Sequence, residues 1–407
     1  MYCRSCHSKK LRIFFDLGSH IPANFYIKKR EKSLNKKLPL KIYFCKKCYL
    51  VQIKDYISGK KLFSEDYAYL SGVSKTWHDH CQKFTNYCIN KFKLKGNDNI
   101  LEIASNDGTL LKYFKKKRMN VIGIEPTKST AKIAIKNNIH TEIKFFNYLS
   151  SIWLKQKYKK FSLIVANNVI AHVDDLNDFL KGLNYISDDK TILSIEFQYI
   201  ANLIKYYQFD TIYHEHFSYY SLLSFENLIK KYNFKIFDIK KIKTHGGSLR
   251  VFLCNKENNI PISSNYYTLK KLEKNLGIND EKFYLSFKKK IESQKKIFIR
   301  KINQINKKNK IIFAYGAAAK GNTFLNYMKL NSNTIQYIMD KNIYKINKLS
   351  PGGLIKILHP DILIDSHPDY ILILAWNLKN EIISELRKKY NYKNKFILGI
   401  PKFQIIN

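Results

Sequence analysis

The sequence predicts an α/β protein in which a small cysteine-rich module precedes two doubly wound α/β domains. Two Cys-x-x-Cys pairs lie before residue 50, and apolar strands alternate with helices in two later stretches. In each stretch a glycine-containing turn follows the first strand. Alternation of this kind is typical of parallel sheets covered by helices on both faces. A chain of 407 residues is long enough for two or three domains.

The composition indicates a folded protein that attracts anionic ligands. Hydrophobic residues make up 45% of the chain and aromatic residues 14%, which is enough for packed cores. The 72 Lys and Arg residues against 32 Asp and Glu residues give a net charge of +40. Because the lysines are spread through nearly every segment, they favour solvated surfaces over a nucleic-acid-binding arm. The positive field still favours anionic ligands, including phosphorylated ones.

The sequence favours a cytoplasmic location. It contains no run of 18 apolar residues, so no membrane span and no membrane partner are expected. Its first residues, Met-Tyr-Cys-Arg-Ser-Cys, lack the apolar core of a signal peptide. In a reducing compartment disulfide bonds are not expected.

The first predicted site is a structural zinc centre formed by Cys3-x-x-Cys6 and Cys45-x-x-Cys48. Each pair makes a tight turn that directs two sulfurs at one point, and two such turns surround a tetrahedral Zn²⁺. Four thiolates leave no open coordination position, so the metal is expected to be structural. Disulfide bonds and idle core cysteines are the alternatives. After this module, a loop with Tyr67 and Tyr69 precedes a predicted helix over residues 75–91 and is a candidate cover for a pocket.

The first α/β unit places polar residues where its strands end. A strand at residues 99–104 leads into the turn Ser105-Asn106-Asp107-Gly108, and a strand at residues 121–125 ends in Glu125-Pro126. A third strand, residues 163–172, has polar residues, among them Asn168, toward its end. In doubly wound sheets, ligands bind at the carboxyl ends of the strands. Glu125 follows Glu102 by 23 residues, the distance expected for an acid that binds ribose hydroxyls.

The window with the most proton-handling chemistry is Tyr213-His214-Glu215-His216, after the strand at residues 191–197. Histidine titrates near neutrality, and tyrosine can donate a hydrogen bond to a developing oxyanion. The alternative is a polar loop or a half-exposed strand. If the segment is extended, His214 and His216 share a face and Glu215 points to the other, so His214 competes with His216 for the role of base.

The second α/β unit begins with a strand at residues 311–315, followed by Gly316-Ala-Ala-Ala-Lys320-Gly321 and a helix. A strand, a glycine loop and a helix offer backbone N–H groups to a phosphate, so Gly316 and Lys320 are candidate ligand contacts. A loop that only packs is the alternative. The spacing lacks the full Walker pattern, so ATP hydrolysis is not indicated.

The order of the motifs along the whole chain resembles the S-adenosylmethionine (SAM)-dependent sugar C-methyltransferase family, typified by the 3-C-methyltransferase of D-tetronitrose biosynthesis. The strings that carry the resemblance are Cys3-Arg-Ser-Cys6, Glu102-Ile-Ala-Ser-Asn-Asp-Gly108, Gly123-Ile-Glu-Pro126, Asn168-Val-Ile-Ala-His172, Ile212-Tyr-His-Glu-His216, His245-Gly-Gly-Ser248, Tyr315-Gly-Ala-Ala-Ala-Lys-Gly321 and Ala375-Trp-Asn377. The resemblance implies a zinc-binding domain (1–62), a class I methyltransferase domain with a Rossmann-like fold (63–258), a helical connector (259–308) and a C-terminal Rossmann-like domain (309–407).

The resemblance also implies an activity, namely methylation of a nucleotide-linked 4-keto-deoxyhexose on the carbon next to its ketone. His216 matches the general base of the family, and four residues match those around the sugar: His172, Tyr213, Glu215 and Tyr67. The expected SAM contacts are Glu102, Ser105, Asn106, Asp107, Gly108, Glu125, Pro126 and Asn168. The expected substrate contacts are Tyr69, His214, His245, Gly316 and Lys320.

Two other functions compete with this one. The net charge leaves room for a nucleic-acid methyltransferase whose zinc module grips RNA or DNA, and a silent scaffold of a glycan pathway is the second alternative. We expect a nucleotide-sugar partner and no specific nucleic acid. The sequence does not indicate which sugar or nucleotide is bound, or the oligomeric state.

Overall fold

The computed structural model describes residues 1–28, 36–63 and 70–407. Within these residues the chain forms a four-stranded, a seven-stranded and a six-stranded sheet. Among the described helices, none is both long and apolar enough to cross a membrane. The helices are α1 Gly59–Leu62, α2 Lys75–Phe92, α3 Thr109–Lys115, α4 Lys128–Lys136, α5 Tyr148–Tyr158, α6 Leu176–Ile186, α7 Ile200–Lys205, α8 Leu222–Ile229, α9 Ser264–Leu276, α10 Glu281–Asn306, α11 Ala319–Met328 and α12 Lys379–Tyr390.

The N-terminal sheet is antiparallel and takes one strand from the middle of the chain. Its order is β1 (Leu11–His20), β2 (Leu38–Cys45), β3 (Val51–Ile53) and β9 (Ser218–Tyr219). In the last pair Val51 lies opposite Tyr219. Because β9 begins two residues after His216, the cysteine-rich module is hydrogen-bonded to the segment that carries the predicted base.

The central sheet confirms the predicted doubly wound fold and adds an antiparallel edge. Its order is β10-β11-β8-β7-β4-β5-β6, and the five strands from β8 to β6 are parallel. β11 runs antiparallel to both β8 and β10. Its antiparallel pairing with β10 follows from the connection of only five residues that joins them. The strands are β4 Asn99–Ile103, β5 Asn120–Ile124, β6 Thr141–Glu142, β7 Leu163–Asn167, β8 Ile192–Gln198, β10 Phe234–Ile242 and β11 Ser248–Asn255.

Both faces of the central sheet are buried. Ile100 on β4 packs into a cluster with Phe84 of α2 and Phe114 of α3. Its neighbour Leu101 faces the other side and joins a cluster that includes Leu180 of α6. Adjacent residues of one strand therefore enter two different cores, which explains the nearly continuous apolar strands of the sequence.

The C-terminal sheet repeats this arrangement on a smaller scale. Its order is β14-β13-β12-β15-β16-β17, and the last strand alone of these six is antiparallel to its neighbour. The strand predicted at residues 311–315 is present as β12. Their bounds are β12 Ile312–Tyr315, β13 Ile338–Met339, β14 Ile357–Leu358, β15 Tyr370–Ile373, β16 Lys395–Leu398 and β17 Gln404–Ile406.

The segment expected to be a connector contains two helices, α9 and α10. Helix α9 ends at Gly277, which has a left-handed conformation (φ +66°). α10 also forms part of the core beneath the N-terminal sheet. The ring of Tyr284 lies 5.1 Å from that of Phe14 on β1, and the ring of Phe287 lies 5.2 Å from that of Phe15. The helix therefore connects two domains along the chain and also supports a third.

Candidate functional site

The four predicted zinc ligands converge on one point. The sulfur atoms of Cys3, Cys6, Cys45 and Cys48 all lie within 4.8 Å of one another, and the sulfurs of Cys3 and Cys48 are 3.4 Å apart. All four cysteines are free, so the disulfide alternative is not realised. A tetrahedral Zn²⁺ with bonds of about 2.3 Å separates its sulfurs by about 3.8 Å, which the cluster matches closely.

The loop after β4 is shaped by left-handed backbone. Ala104 has φ +53°, Asn106 has φ +51° and Gly108 has φ +75°. A Cβ atom on Gly108 would lie 3.1 Å from side-chain atoms of Ala134 and Ile139. The positive φ and the lack of space for a Cβ atom both favour glycine at this position. The loop turns the chain sharply from β4 into α3 at the carboxyl edge of the sheet.

Glu125, at the end of β5, is tied to this loop. Its Oε2 accepts a hydrogen bond from the amide of Asn106 at 2.8 Å, and its Oε1 accepts one from the amide of Thr127 at 2.8 Å. Burial raises the pKa of Glu125, while these two backbone donors lower it. The hydroxyl groups of Thr127 and Thr130 also lower the pKa of Glu125.

Buried polar atoms without partners surround the loop. Within the described residues Oε2 of Glu102, Oγ of Ser105 and both polar side-chain atoms of Asn167 are buried and make no hydrogen bond. Buried polar groups normally have partners, so these atoms fit a site for a polar cofactor at the strand ends. Asn167 was missed from the sequence because it precedes the motif residue Asn168. Its position as the last residue of an apolar strand was the available signal.

Residues 71–73, the first described turn after the tyrosine-rich loop, pack on the same loop. The amide of Ser71 donates to Oδ1 of Asn106 at 3.0 Å, and its hydroxyl donates to Oδ1 of Asp107 at 2.7 Å. The amide of Gly72 donates to Oδ2 of Asp107 at 2.8 Å. The side chains of Asn106 and Asp107 therefore bind a covering segment. Tyr67 and Tyr69 lie outside the described residues.

A buried charge network supports Asn168, which has a left-handed backbone (φ +57°). Its amide donates to the backbone oxygen of Glu196 at 2.7 Å. The Glu196 carboxylate accepts from Arg250 at 2.5 Å and from the hydroxyl of Thr244 at 3.1 Å. Arg250 also donates to Nε2 of His80 on α2 at 2.9 Å. The sequence pattern does not reveal this network, because Glu196 lies within an otherwise apolar strand.

The Tyr-His-Glu-His segment is a turn, so the extended geometry considered above is wrong. The amide of His216 donates to the carbonyl of Tyr213 at 2.9 Å, which closes the turn. His214 and His216 therefore do not share a face. His214 contacts the carbonyls of Leu38 and Pro39 in the N-terminal sheet, each at 3.3 Å from Nε2. Its predicted substrate contact has no support from this geometry.

His216 is held in one tautomer. Its Nδ1 lies 2.9 Å from the carbonyl oxygen of Thr211, and a carbonyl can only accept, so Nδ1 carries the hydrogen. In the neutral ring Nε2 then has a lone pair, and the hydroxyl of Tyr213 donates to it at 2.7 Å. The two rings lie 4.0 Å apart, with 8% of Tyr213 and 5% of His216 exposed. The pair forms a neutral base and a phenol donor in one buried place.

His172 lies beside this pair, with its ring 4.6 Å from the ring of His216. Its Nδ1 donates to the backbone oxygen of Glu215 at 2.6 Å. Burial lowers the pKa of His172 to about 4, so the ring is neutral at pH 7 and Nε2 is an acceptor. Through Nε2 the neutral ring can therefore accept, but not donate, a hydrogen bond.

The Glu215 carboxyl group points toward the N-terminal domain. It is completely buried, and its Oε1 accepts from the amide of Asn24 at 3.1 Å. Oε2 has no hydrogen-bond partner among the described residues. Burial raises the pKa of Glu215 to about 7. Asn24 lies between β1 and β2, where no periodic pattern marks it in the sequence.

The C-terminal glycine loop contacts two other parts of the chain. The carbonyl oxygen of Ala317 accepts from the hydroxyl of Tyr26 at 2.5 Å and from Lys345 at 2.9 Å. Lys320 is buried, with its ammonium group 5.2 Å from the ring centroid of Trp376. Gly316 has φ +96°. The phosphate contact expected of Gly316 and Lys320 stays a prediction.

Two further features lie apart from these residues. The backbone of His245 belongs to a 3-10 turn, Thr244–Gly246, ahead of β11, and its side chain lies outside the described part. An open groove of about 910 Å³ runs along α10, lined by Lys295, Arg300 and Tyr327 among others. None of the predicted site residues borders this groove.

Three family models match successive parts of the chain. A zinc binding domain matches residues 3–63, a methyltransferase domain matches residues 75–239 and a C-methyltransferase C-terminal domain matches residues 243–401. The chain is 27% identical over 369 residues to the C-methyltransferase NovU of Streptomyces niveus. That match covers 91% of this chain and 88% of the relative.

More distant proteins are similar only to part of the chain. Release factor glutamine methyltransferase of Buchnera aphidicola subsp. Schizaphis graminum is 26% identical over 214 residues, covering 47% of this chain and 76% of that protein. The solved magnesium protoporphyrin IX methyltransferase of Synechocystis PCC 6803 is 10% identical, with a TM-score of 0.33. It covers 44% of this chain and 79% of that structure, and a likeness at this level carries no argument.

A methyltransferase domain with a polar cofactor site at the strand ends, joined to a four-cysteine zinc domain, defines a SAM-dependent methyltransferase. The family model of the C-methyltransferase C-terminal domain and the similarity to NovU over nine tenths of the chain narrow this class. The protein is a SAM-dependent C-methyltransferase. The C-methyltransferase activity, SAM and the structural zinc expected from the motifs are thereby confirmed. The sugar substrate and the residue roles are a separate matter.

Proposed function

We propose that the protein methylates the carbon next to the ketone of a nucleotide-linked 4-keto-deoxyhexose. The observation that supports this most is the Tyr213–His216 pair, in which a neutral imidazole presents its lone pair to a phenol hydrogen at 2.7 Å. A carbon acid next to a ketone needs such a base and such a donor. The substrate class follows from the motif resemblance described above, and the positive charge of the chain suits a nucleotide diphosphate.

In the proposed reaction Nε2 of His216 removes the proton from the carbon next to the ketone. The hydroxyl of Tyr213 turns from Nε2 to the substrate oxygen and stabilises the enolate that forms. SAM, when bound, supplies the electrophilic methyl group that the enolate carbon takes. The hydrogen bond from Nδ1 of His216 to Thr211 strengthens as the ring becomes charged, so it supports proton removal.

The ring that lies beside the base carries no charge. Burial lowers the pKa of His172 to about 4, so this ring is neutral at pH 7. In a buried site with few charges, the enolate is stabilised by the hydrogen-bond donor of the protein and not by water. The cofactor residues in this proposal are Glu125, Asn167, Asn168 and the loop from Glu102 to Gly108.

The decisive experiment incubates the protein with SAM and a panel of nucleotide-linked 4-keto sugars, with mass spectrometry of the products. A gain of one methyl group on a keto sugar, but not on the matching 4-hydroxy sugar, supports the proposal. Exchange of the hydrogen next to the ketone in deuterium oxide, with S-adenosylhomocysteine in place of SAM, tests the base alone. His216→Asn should lose this exchange by about 10²- to 10⁴-fold. Methylation of an oxygen or nitrogen atom would contradict the proposal.

A further inference from the structure

A 3-10 turn, Phe209–Thr211, holds the proposed base in its tautomer. The carbonyl of Thr211, the last residue of the turn, accepts from Nδ1 of His216 at 2.9 Å. The same oxygen accepts from the hydroxyl of Tyr219 at 3.4 Å. If this carbonyl moved away, Nδ1 would lose its acceptor and the two neutral tautomers of His216 would become closer in energy.

Two residues of this turn contact the C-terminal domain. The indole N–H of Trp376, which follows β15, donates to Oδ2 of Asp210 at 2.7 Å. The ring of Phe209 stacks on Phe324 of α11 at 5.8 Å and lies 4.8 Å from the ring of Tyr327. Asp210 is completely buried, so its contact with Trp376 is shielded from water.

The charges around Asp210 favour the form that accepts the indole hydrogen. Burial raises the pKa of Asp210 to about 6, while the ammonium group of Lys320 and the Trp376 hydrogen bond lower it. Lys320 is buried nearby, and burial lowers its pKa to about 8. At pH 7 Asp210 is therefore mostly ionised and Lys320 mostly protonated. A carboxylate from the methyltransferase domain and an ammonium group from the C-terminal domain lie beside the same indole ring of Trp376.

From these contacts we propose that Trp376 and Asp210 are positioning residues for methyl transfer. Trp376 holds Asp210, Asp210 fixes the turn, and the carbonyl of Thr211 fixes the tautomer of His216. This inference rests on the proposed role of His216 as the base. It gives the C-terminal domain a part in catalysis that requires no ligand on its glycine loop.

The test is Trp376→Phe, which removes the N–H and keeps an aromatic ring. Protein with ¹⁵N-labelled histidine reports the tautomer of His216 directly, and the His216→Asn spectrum identifies its signals. The parent should show a protonated Nδ1 and a bare Nε2, and the variant a mixture of tautomers. The kcat should fall roughly 10- to 100-fold because the base is misplaced, while SAM affinity stays within about threefold.

Two controls separate positioning from general damage. Trp153→Phe makes the same substitution on α5, outside this chain of contacts, and should change neither the His216 signals nor kcat. Asp210→Asn keeps an acceptor for the indole and should stay close to the parent, whereas Asp210→Ala should behave like Trp376→Phe. The Trp376→Phe and Asp210→Ala double variant should lose no more activity than either single variant.

An unchanged ¹⁵N spectrum of His216 in both Trp376→Phe and Asp210→Ala would overturn the inference, whatever happens to kcat. Additive losses in the double variant would overturn it as well. If Trp376→Phe fails to fold, the Asp210→Asn and Asp210→Ala pair decides the matter alone. The spectra need no substrate, so a parent protein that methylates no keto sugar would count against the proposed function without affecting this result.

Discussion

The hydroxyl of Tyr213 donates its hydrogen to Nε2 of His216 across 2.7 Å, within a turn closed by the backbone of the same two residues. The proposed base and the proposed hydrogen-bond donor to the enolate are therefore fixed by one local structure. This turn follows the 3-10 turn Phe209–Thr211, which contacts the C-terminal domain. It precedes the strand β9, which pairs with the N-terminal sheet. The N-terminal domain thus contacts these four residues directly, and the C-terminal domain contacts the 3-10 turn that precedes them.

Tyr213→Phe removes the phenol and leaves the ring that packs on His216. We expect kcat to fall about 10²- to 10³-fold, because the enolate loses its donor. The measurement is kcat on the keto sugar, with Tyr232→Phe as the control phenol, which bonds to Asn177 on α6 and should keep the activity of the parent. A Tyr213→Phe protein with the kcat of the parent would count against the donor role of Tyr213.

Glu125→Gln tests the cofactor site. Its amide nitrogen would face the amide of Asn106 or Thr127, so one backbone donor loses its acceptor, along with one acceptor for the ribose. SAM should bind at least tenfold more weakly, a loss of about 1.4 kcal/mol or more, measured by calorimetry. Glu142→Gln, at the end of the neighbouring strand β6, is the matched control. Equal SAM affinity in the parent and Glu125→Gln would refute the assignment.

Gly72→Ala tests whether residues 71–73 cover the cofactor. The added Cβ would lie 2.7 Å from Oγ1 of Thr109 and 2.9 Å from Oδ2 of Asp107, so the turn must lift from the loop. We expect SAM to dissociate faster, with a weaker Kd, in stopped-flow and calorimetric measurements. Gly96→Ala meets only a carbonyl oxygen at 3.8 Å and should bind SAM like the parent. If both variants bind alike, the turn has no covering role.

The sequence was sufficient wherever local pattern determines structure. The strand ending in Glu125, the loop at Gly108 and the paired cysteines follow from short-range chemistry, and the structure has all three. The turn at Tyr213–His216 did not follow, because an alternation of polar and aromatic residues is compatible with a strand as well as a turn. Asp210 and Trp376 are 166 residues apart, and no local signal joins them.

Zinc should matter for the active site through β9. Arg4, between the first two cysteines, donates to the carbonyl of Ile53 on β3, and its guanidinium lies 5.1 Å from the ring of Phe217. Phe217 follows His216 directly. Cys45→Ser should contain less than half an equivalent of zinc by elemental analysis and should lose most of its kcat.

The same variant offers an internal control for the zinc prediction. SAM affinity should stay within about threefold, because the loop at Glu102–Gly108 belongs to a different sheet. Cys254→Ser, at a buried cysteine on β11 that is not a ligand, should keep its zinc and its activity. Full activity in a zinc-depleted Cys45→Ser protein would show that the zinc domain does not support the catalytic turn.

The Glu215 carboxyl group should make stability depend on pH. Its pKa is raised from 4.5 to about 7 by complete burial, so between these values the folded protein holds a proton that the unfolded chain has released. Folding stability therefore falls as pH rises through this window, since the folded state binds more protons. Glu215→Gln keeps an acceptor for the amide of Asn24 and removes the titration.

Glu215→Gln should consequently gain stability relative to the parent as pH rises from 5 to 8. The gain can reach about 3 kcal/mol, which corresponds to the full shift in pKa. Thermal unfolding of both proteins at each pH measures it, and the exposed Glu257→Gln serves as the control, with a difference from the parent that does not vary with pH. Because His172 and His20 have pKa values lowered to about 4, both proteins also lose stability below pH 6.5, and that loss cancels in the comparison. A difference between Glu215→Gln and the parent that is constant from pH 5 to 8 would mean that Glu215 is already ionised in the folded protein at pH 5.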